Sequence, residues 1–274
     1  METGSNDRID AHVRRLWRHR GTTLPVPRRG PRHQLSLDTL LDTAVTLADG
    51  EGLAAVSTRS LAAELGVSAM GLYPYVGSKE QLVALMADHA YAAPERRIVA
   101  DEEPGPASDV APGIDAGCRL RAALEEWVTD LFDLYVAHPW LTEISWATAS
   151  GGPNEQDWLE RLLSILDEGG TPVVARAAVV TTLYAVVRST AQTAAAYGGL
   201  DADTASQWLN QTAATRRLIG DFDARYPRSV ALEQPAAGQW RDLPRASLRQ
   251  VVALICAGMQ AESETTADNL TAEG

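Results

Sequence analysis

Apolar residues near the N-terminus recur with the period of an α-helix. Leu37, Leu40, Leu41, Ala44, Val45 and Ala48 fall on one helical face. Ser36 stands where an N-cap belongs, Leu35 and Leu40 form a hydrophobic staple, and Gly50 and Gly52 close the segment. A shorter run follows, with Leu61, Ala62 and Leu65 inward, then Gly66 as the positive-φ residue of a tight turn. Val67 is expected to plug the core, and Ser68 to cap a helix from Ala69 to about Tyr75. The S-x-x-Q capping box of Ser78 and Gln81 opens a fourth helix through Leu82, Leu85, Met86 and His89.

Helical periodicity returns after residue 117. The pattern predicts helices at about 118–137, 139–149, 154–168, 172–197, 203–219 and 245–261, with an irregular connection over 222–244. Proline and glycine crowd residues 92–117, which read as a linker or loop, and residues 262–274 as a polar, frayed tail. No segment alternates like a strand. The expected fold class is all-α: a basic arm over 1–35, a helix-turn-helix domain over 36–91, and a helical ligand-binding and dimerisation domain over 118–261.

Two short helices joined by a glycine turn and packed on an amphipathic helix make a DNA-binding helix-turn-helix. The run TRSLAAELGVSAMGLYPYVGSKEQLVALMAD, residues 58–88, resembles the DNA-binding domain of the TetR family of transcriptional regulators. The resemblance covers residues 36–91 by motif. Beyond them it rests on helix pattern, on H-P-W at 138–140 and on R-Y-P at 225–227. It implies a homodimeric repressor on a palindromic double-stranded DNA operator, released by a small-molecule effector. Thr58 and Arg59 would reach the groove edge. Ser68, Ala69, Met70 and Gly71 would meet base edges, Tyr73 and Tyr75 would touch phosphate, and Lys79 would pair with phosphate as a point charge. The alternative for Tyr73 is a core aromatic with its hydroxyl at the rim. Two features depart from the family's pattern. Pro74 is expected to shorten or distort the recognition helix. The stretch Ala69-Met70-Gly71 also lacks the Arg, Asn or Gln that reads bases bidentately.

A net charge of −12 argues against nucleic acid until its distribution is mapped. Residues 1–34 carry eight arginines against Glu2, Asp7 and Asp10, a balance of +5. Residues 35–92 carry Arg59 and Lys79 against seven acids, a balance of −5, so the excess lies beyond residue 92. Arg28, Arg29 and Arg32 directly precede the first helix. They are either a solvated charge run or an arm that contacts the minor groove or the DNA backbone. Lys79 is the chain's single lysine.

Signs of catalysis are missing. The five histidines are scattered, and His138 before Pro139 reads as structural. There is no H-E-x-x-H, G-x-S-x-G, Walker loop or G-x-G-x-x-G. No cofactor and no metal are expected. Cys118 and Cys256 read as free thiols of a cytoplasmic protein. The most apolar stretch, near 172–187, is interrupted by Arg176 and closed by Arg188, which makes it a poor membrane span. Trp127, Trp146, Trp158 and Tyr184 are either core filling or the wall of a ligand pocket, and Tyr184, Arg188 and Gln192 form a stripe that would supply polar contacts. The helices at 172–197 and 245–261 are apolar on all sides and are expected to pack against a second copy. A TetR-like activator, a regulator controlled by a protein partner, and an all-α enzyme with an incidental helix-turn-helix are the competing functions.

Overall fold

The computed structural model describes residues 3–22, 35–92, 116–145, 149–198, 202–231 and 243–272. Every regular element among them is helical. The N-terminal part holds α1 (Thr3–Leu16), α2 (Leu37–Glu51), α3 (Thr58–Glu64), α4 (Ala69–Val76) and α5 (Lys79–Tyr91). The second part holds α6 (Ala116–Ala137), a 3-10 segment (Pro139–Glu143), α7 (Pro153–Glu168), α8 (Val173–Gly198), α9 (Ala202–Leu218), short α10 (Phe222–Arg225) and α11 (Pro227–Ala231), and α12 (Leu243–Ala272).

The head is built as its periodicity dictates. Leu37, Leu40, Leu41, Ala44 and Ala48 of α2 are buried against Leu61, Leu72, Val76, Leu82, Leu85 and Met86. Ser36, Ser57, Ser68 and Ser78 each accept a backbone N–H at the start of the following helix. In the second part α6, α8 and α12 pack on one another, and α7 lies against α5, α6 and α8. The α12 stripe Leu248, Val252 and Cys256 is buried, as are Leu183 and Val187 of α8.

Four expectations change. The basic arm is helical at its beginning: α1 packs on α5 with Leu16 buried. The segment expected as a helix over 139–149 is a short 3-10 turn, with Pro139 at its start. The 222–244 connection contains α10 and α11. The tail continues α12 to Ala272, because no glycine or proline interrupts residues 260–272. Arg28, Arg29, Arg32 and Trp146 lie outside the described residues.

One polar joint fixes α5 against α7. Gly152 and Pro153 open α7, and neither can cap it: glycine has no side chain and proline's ring carries no acceptor. The cap comes from the head. Asp88 of α5, 1% exposed, accepts the backbone N–H of Asn154 at 2.9 Å and of Glu155 at 3.1 Å. The Asn154 amide donates to Asp88 as well, at 3.1 Å to the carboxylate and 3.0 Å to the carbonyl. A Cβ on Gly152 would lie 2.2 Å from the Asp88 carboxyl, so the approach requires glycine there.

Replacing Asp88 with Ala strands two buried N–H groups and is expected to lower unfolding free energy by about 1–3 kcal/mol. Asp88→Asn keeps an acceptor and should lose less. A denaturant titration followed by tryptophan fluorescence measures both, and equal midpoints for wild type and Asp88→Ala would contradict this role.

Candidate functional site

The turn between α3 and α4 is set by backbone chemistry. Gly66 has φ +64°, its N–H donates to Ala63, and the Val67 N–H donates to Ala62 at 3.0 Å. Val67, expected as a core plug, is instead 39% exposed, and Leu65 is half-buried. Leu61, Leu72 and Val76 supply the buried layer beneath the turn, which leaves Val67 at its surface.

With Leu72 and Val76 turned inward, α4 presents Met70 (78% exposed), Gly71 and Tyr73 (54% exposed) outward. Ala69 is half-buried, and Ser68 is spent in part on capping, its Oγ accepting the Gly71 N–H at 3.3 Å. Tyr75 packs half-buried against the core. Thr58 is half-buried at the start of α3, with Arg59 exposed beside it. Lys79 is exposed at the first position of α5. The helix runs past Pro74 to Val76. Arg15 of α1 donates to the Pro74 carbonyl at 3.0 Å, so the N-terminal helix touches the recognition helix directly.

A second site lies behind the head: a cavity of about 940 Å³ bounded by α1, α5, α6, α7, α8 and the segment after the 3-10 turn. Val83, Ala84, Ala87, Leu141, Leu159 and Val180 make it mainly apolar. Its polar groups are His12, Tyr91, Tyr135, Glu155, Tyr184 and Arg188 among others. The Tyr91 and Tyr135 hydroxyls are 3.0 Å apart. Burial pushes the Tyr91, Tyr135 and Tyr184 phenols above their ordinary range and the His12 imidazole below its own, so all four are neutral at pH 7. The Glu155 carboxylate is held by the Ser150 N–H at 2.6 Å and hydroxyl at 2.5 Å.

Of the residues proposed from sequence for ligand contact, Tyr184 and Arg188 line this cavity. Trp127 and Trp158 do not, and form the wall behind it. Trp127 meets Tyr184 edge-on at 5.1 Å and Trp158 at 6.2 Å, while its indole N–H donates to the Trp158 carbonyl at 3.2 Å. Gln192 has drifted off the cavity face of α8 and donates to the Thr142 carbonyl. The sequence reading missed His12, because nothing in the local pattern around it shows where its helix docks. It also missed Tyr91, which its apolar neighbours disguise as plain core. Among the described residues, no group of three His, Cys, Asp or Glu side chains is placed to hold a metal.

The chain was compared with known proteins. The profile of the bacterial regulatory proteins of the tetR family matches residues 40–86. The HTH-type transcriptional repressor DrrR1 of Streptomyces coeruleorubidus is 30% identical over 241 residues, which span 86% of this chain and 82% of that protein. The crystal structure of the Streptomyces coelicolor TetR family protein ActR in complex with actinorhodin is similar with a TM-score of 0.63 and 25% identity. That likeness covers 83% of this chain and 98% of the other. Apo ActR from the same organism gives 0.59 and 26%, over 83% and 97% of the two chains.

Proposed function

The chain belongs to the TetR family of bacterial transcriptional regulators, and on that premise we propose that it acts as a cytoplasmic homodimeric repressor, released from operator DNA by a small molecule bound in the 940 Å³ cavity. The observation that supports this most is the position of the cavity. Its walls include α5, the last helix of the head, and α8 of the second domain. A molecule that fits only when α5 has shifted favours the non-DNA conformation by its difference in affinity for the two states. ActR, in a complex with actinorhodin, shows a relative of the same fold holding a small molecule.

The reading face assigns different work to different residues. Met70 and Gly71 project from α4, with Ala69 at their edge, and they meet base edges largely by apolar contact, while the exposed Tyr73 turns its hydroxyl to phosphate. Arg59, Thr58 and Ser68 supply hydrogen bonds at the groove edge. Lys79 and Tyr75 hold phosphate. No catalytic step is part of this reading.

The dimer rests on uncovered apolar surface. Helix α8 is long and apolar enough to cross a membrane by length and composition. One stripe of it is buried within the chain, while Val173 (75% exposed), Val174 and Ala178 are uncovered. On α12, Leu254 is 71% exposed beside Ala257 and Gly258. These faces suit a four-helix interface with a second copy.

Two outcomes test the proposal. Lys79→Ala is expected to weaken binding to specific and random DNA alike and to make the salt slope shallower by about one unit. Met70→Gln should change which base is preferred within each half-site. Binding to a promoter library at several salt concentrations separates the two effects, and a Lys79 variant with altered base preference and an unchanged slope would reverse the assignment. Leu254→Glu places an unpaired charge in the interface and should give monomers by sedimentation. A wild-type chain that sediments as a monomer at micromolar concentration contradicts the dimer.

A further inference from the structure

Two buried side-chain nitrogens among the described residues have no hydrogen-bond partner: His12 Nδ1 and Arg188 Nε. Both residues line the same cavity. They come from distant parts of the chain, one on α1 and one on α8. Buried polar nitrogens without partners are uncommon in a folded protein, and two on residues that line one cavity point to a ligand that supplies them.

The surroundings define that ligand's chemistry. Arg188 donates one Nη1–H to the Ile144 carbonyl and stands beside the Tyr135 hydroxyl. Ion pairs form elsewhere in the structure, but no carboxylate among the described residues lies within salt-bridge distance of its guanidinium. Of the two carboxylates in the cavity lining, Glu155 is engaged by Ser150, and Glu80 stands exposed at the start of α5, hydrogen-bonded by Ser78 and beside Lys79. A half-buried cation with a free planar donor calls for an anion, and a guanidinium fork matches a carboxylate-like group in shape and charge. His12 is kept neutral by burial and by the neighbouring Arg15 charge, so its nitrogen suits an uncharged hydroxyl or carbonyl. The walls between are alanine, valine, leucine and tyrosine rings, which take an apolar ring system.

We propose that the effector is an elongated, largely apolar ring compound that carries one carboxylate-like anion, gripped by Arg188 and met at its uncharged end by His12. This rests on the cavity being the effector site. The Arg188 contact selects anions from neutral molecules of the same shape. The His12 contact brings α1, whose Arg15 holds the Pro74 carbonyl of the recognition helix, into touch with the ligand.

The test uses two fluorescent probes with the same rings, anilinonaphthalene sulfonate and the neutral phenylnaphthylamine, titrated into the full chain. The wild type is expected to bind the sulfonate about tenfold tighter than the amine, the size of one charge-assisted hydrogen bond. Arg188→Gln should remove that preference and leave amine affinity within about twofold, while Arg188→Lys keeps part of it. Val180→Trp fills the cavity and should abolish both signals. Equal affinities for the two probes in the wild type, or an equal loss of both in Arg188→Gln, overturns the anion assignment while the cavity reading stands. If neither probe binds at one site per chain, or the sulfonate binds unchanged in Val180→Trp, the cavity reading fails and takes this proposal with it.

Discussion

A helix start must find acceptors for its first N–H groups, and in this protein one helix finds them in another domain. The residues at the start of α7, Gly152 and Pro153, offer no cap of their own. Asp88 reaches from the head to accept the two free donors, and Gly152 leaves the room it needs. The anion also lies at the favourable end of the α7 dipole. Burial pushes the Asp88 carboxyl above its ordinary range, against the pull of the backbone N–H groups and of Arg18. The joint therefore holds a costly group in place by geometry, and the head cannot swing on α7 without exposing those donors.

Two further ties act around that joint. Asp49 of α2 accepts the Trp140 indole N–H at 2.7 Å and lies 2.9 Å from the His138 ring. The H-P-W triplet thus serves as a bracket between the head and the second domain. The turn that follows α1 forms the other tie. The Trp17 indole donates to the Gly151 carbonyl, Arg20 pairs with Asp157, and Arg18, with its side chain 8% exposed, pairs with Asp38 of α2. The Arg20 pair is exposed enough that water and salt screen it to a small contribution. The Arg18 pair is better shielded. The Trp17 contact reaches the wall of the cavity, which Gly151, Gly152 and His12 line. Any ligand that displaces that wall therefore acts on the fastening of the head.

The head was legible because local rules agree there. Serine caps, a glycine turn and an apolar stripe each specify the same helices, and the motif around residues 58–88 adds its own register. The second domain was legible as helices, since periodicity needs no knowledge of partners. Its site was not. Trp127 and Trp158 look like pocket walls in a sequence, yet their indole N–H groups are satisfied by the Trp158 and Tyr91 carbonyls, which seals them into the core. Tyr184 and Arg188, one helical turn apart, were found because their polar groups interrupt an apolar face. His12 could not be found that way. Its place in the cavity depends on how α1 docks across the head, and that docking comes from pairs between distant residues such as Arg20 with Asp157 and Trp17 with Gly151.

In the proposed dimer the Asp88 joint would hold the two heads at a fixed separation, because it fastens α5 of each head to α7. Spin labels at the exposed Glu64 position of α3, with both native cysteines replaced, would report the distance between heads by double electron–electron resonance. One narrow distance is expected for the wild type, and a broadened distribution for Asp88→Ala in a dimer that is still folded. The same narrow distribution in both proteins would contradict this role of the joint.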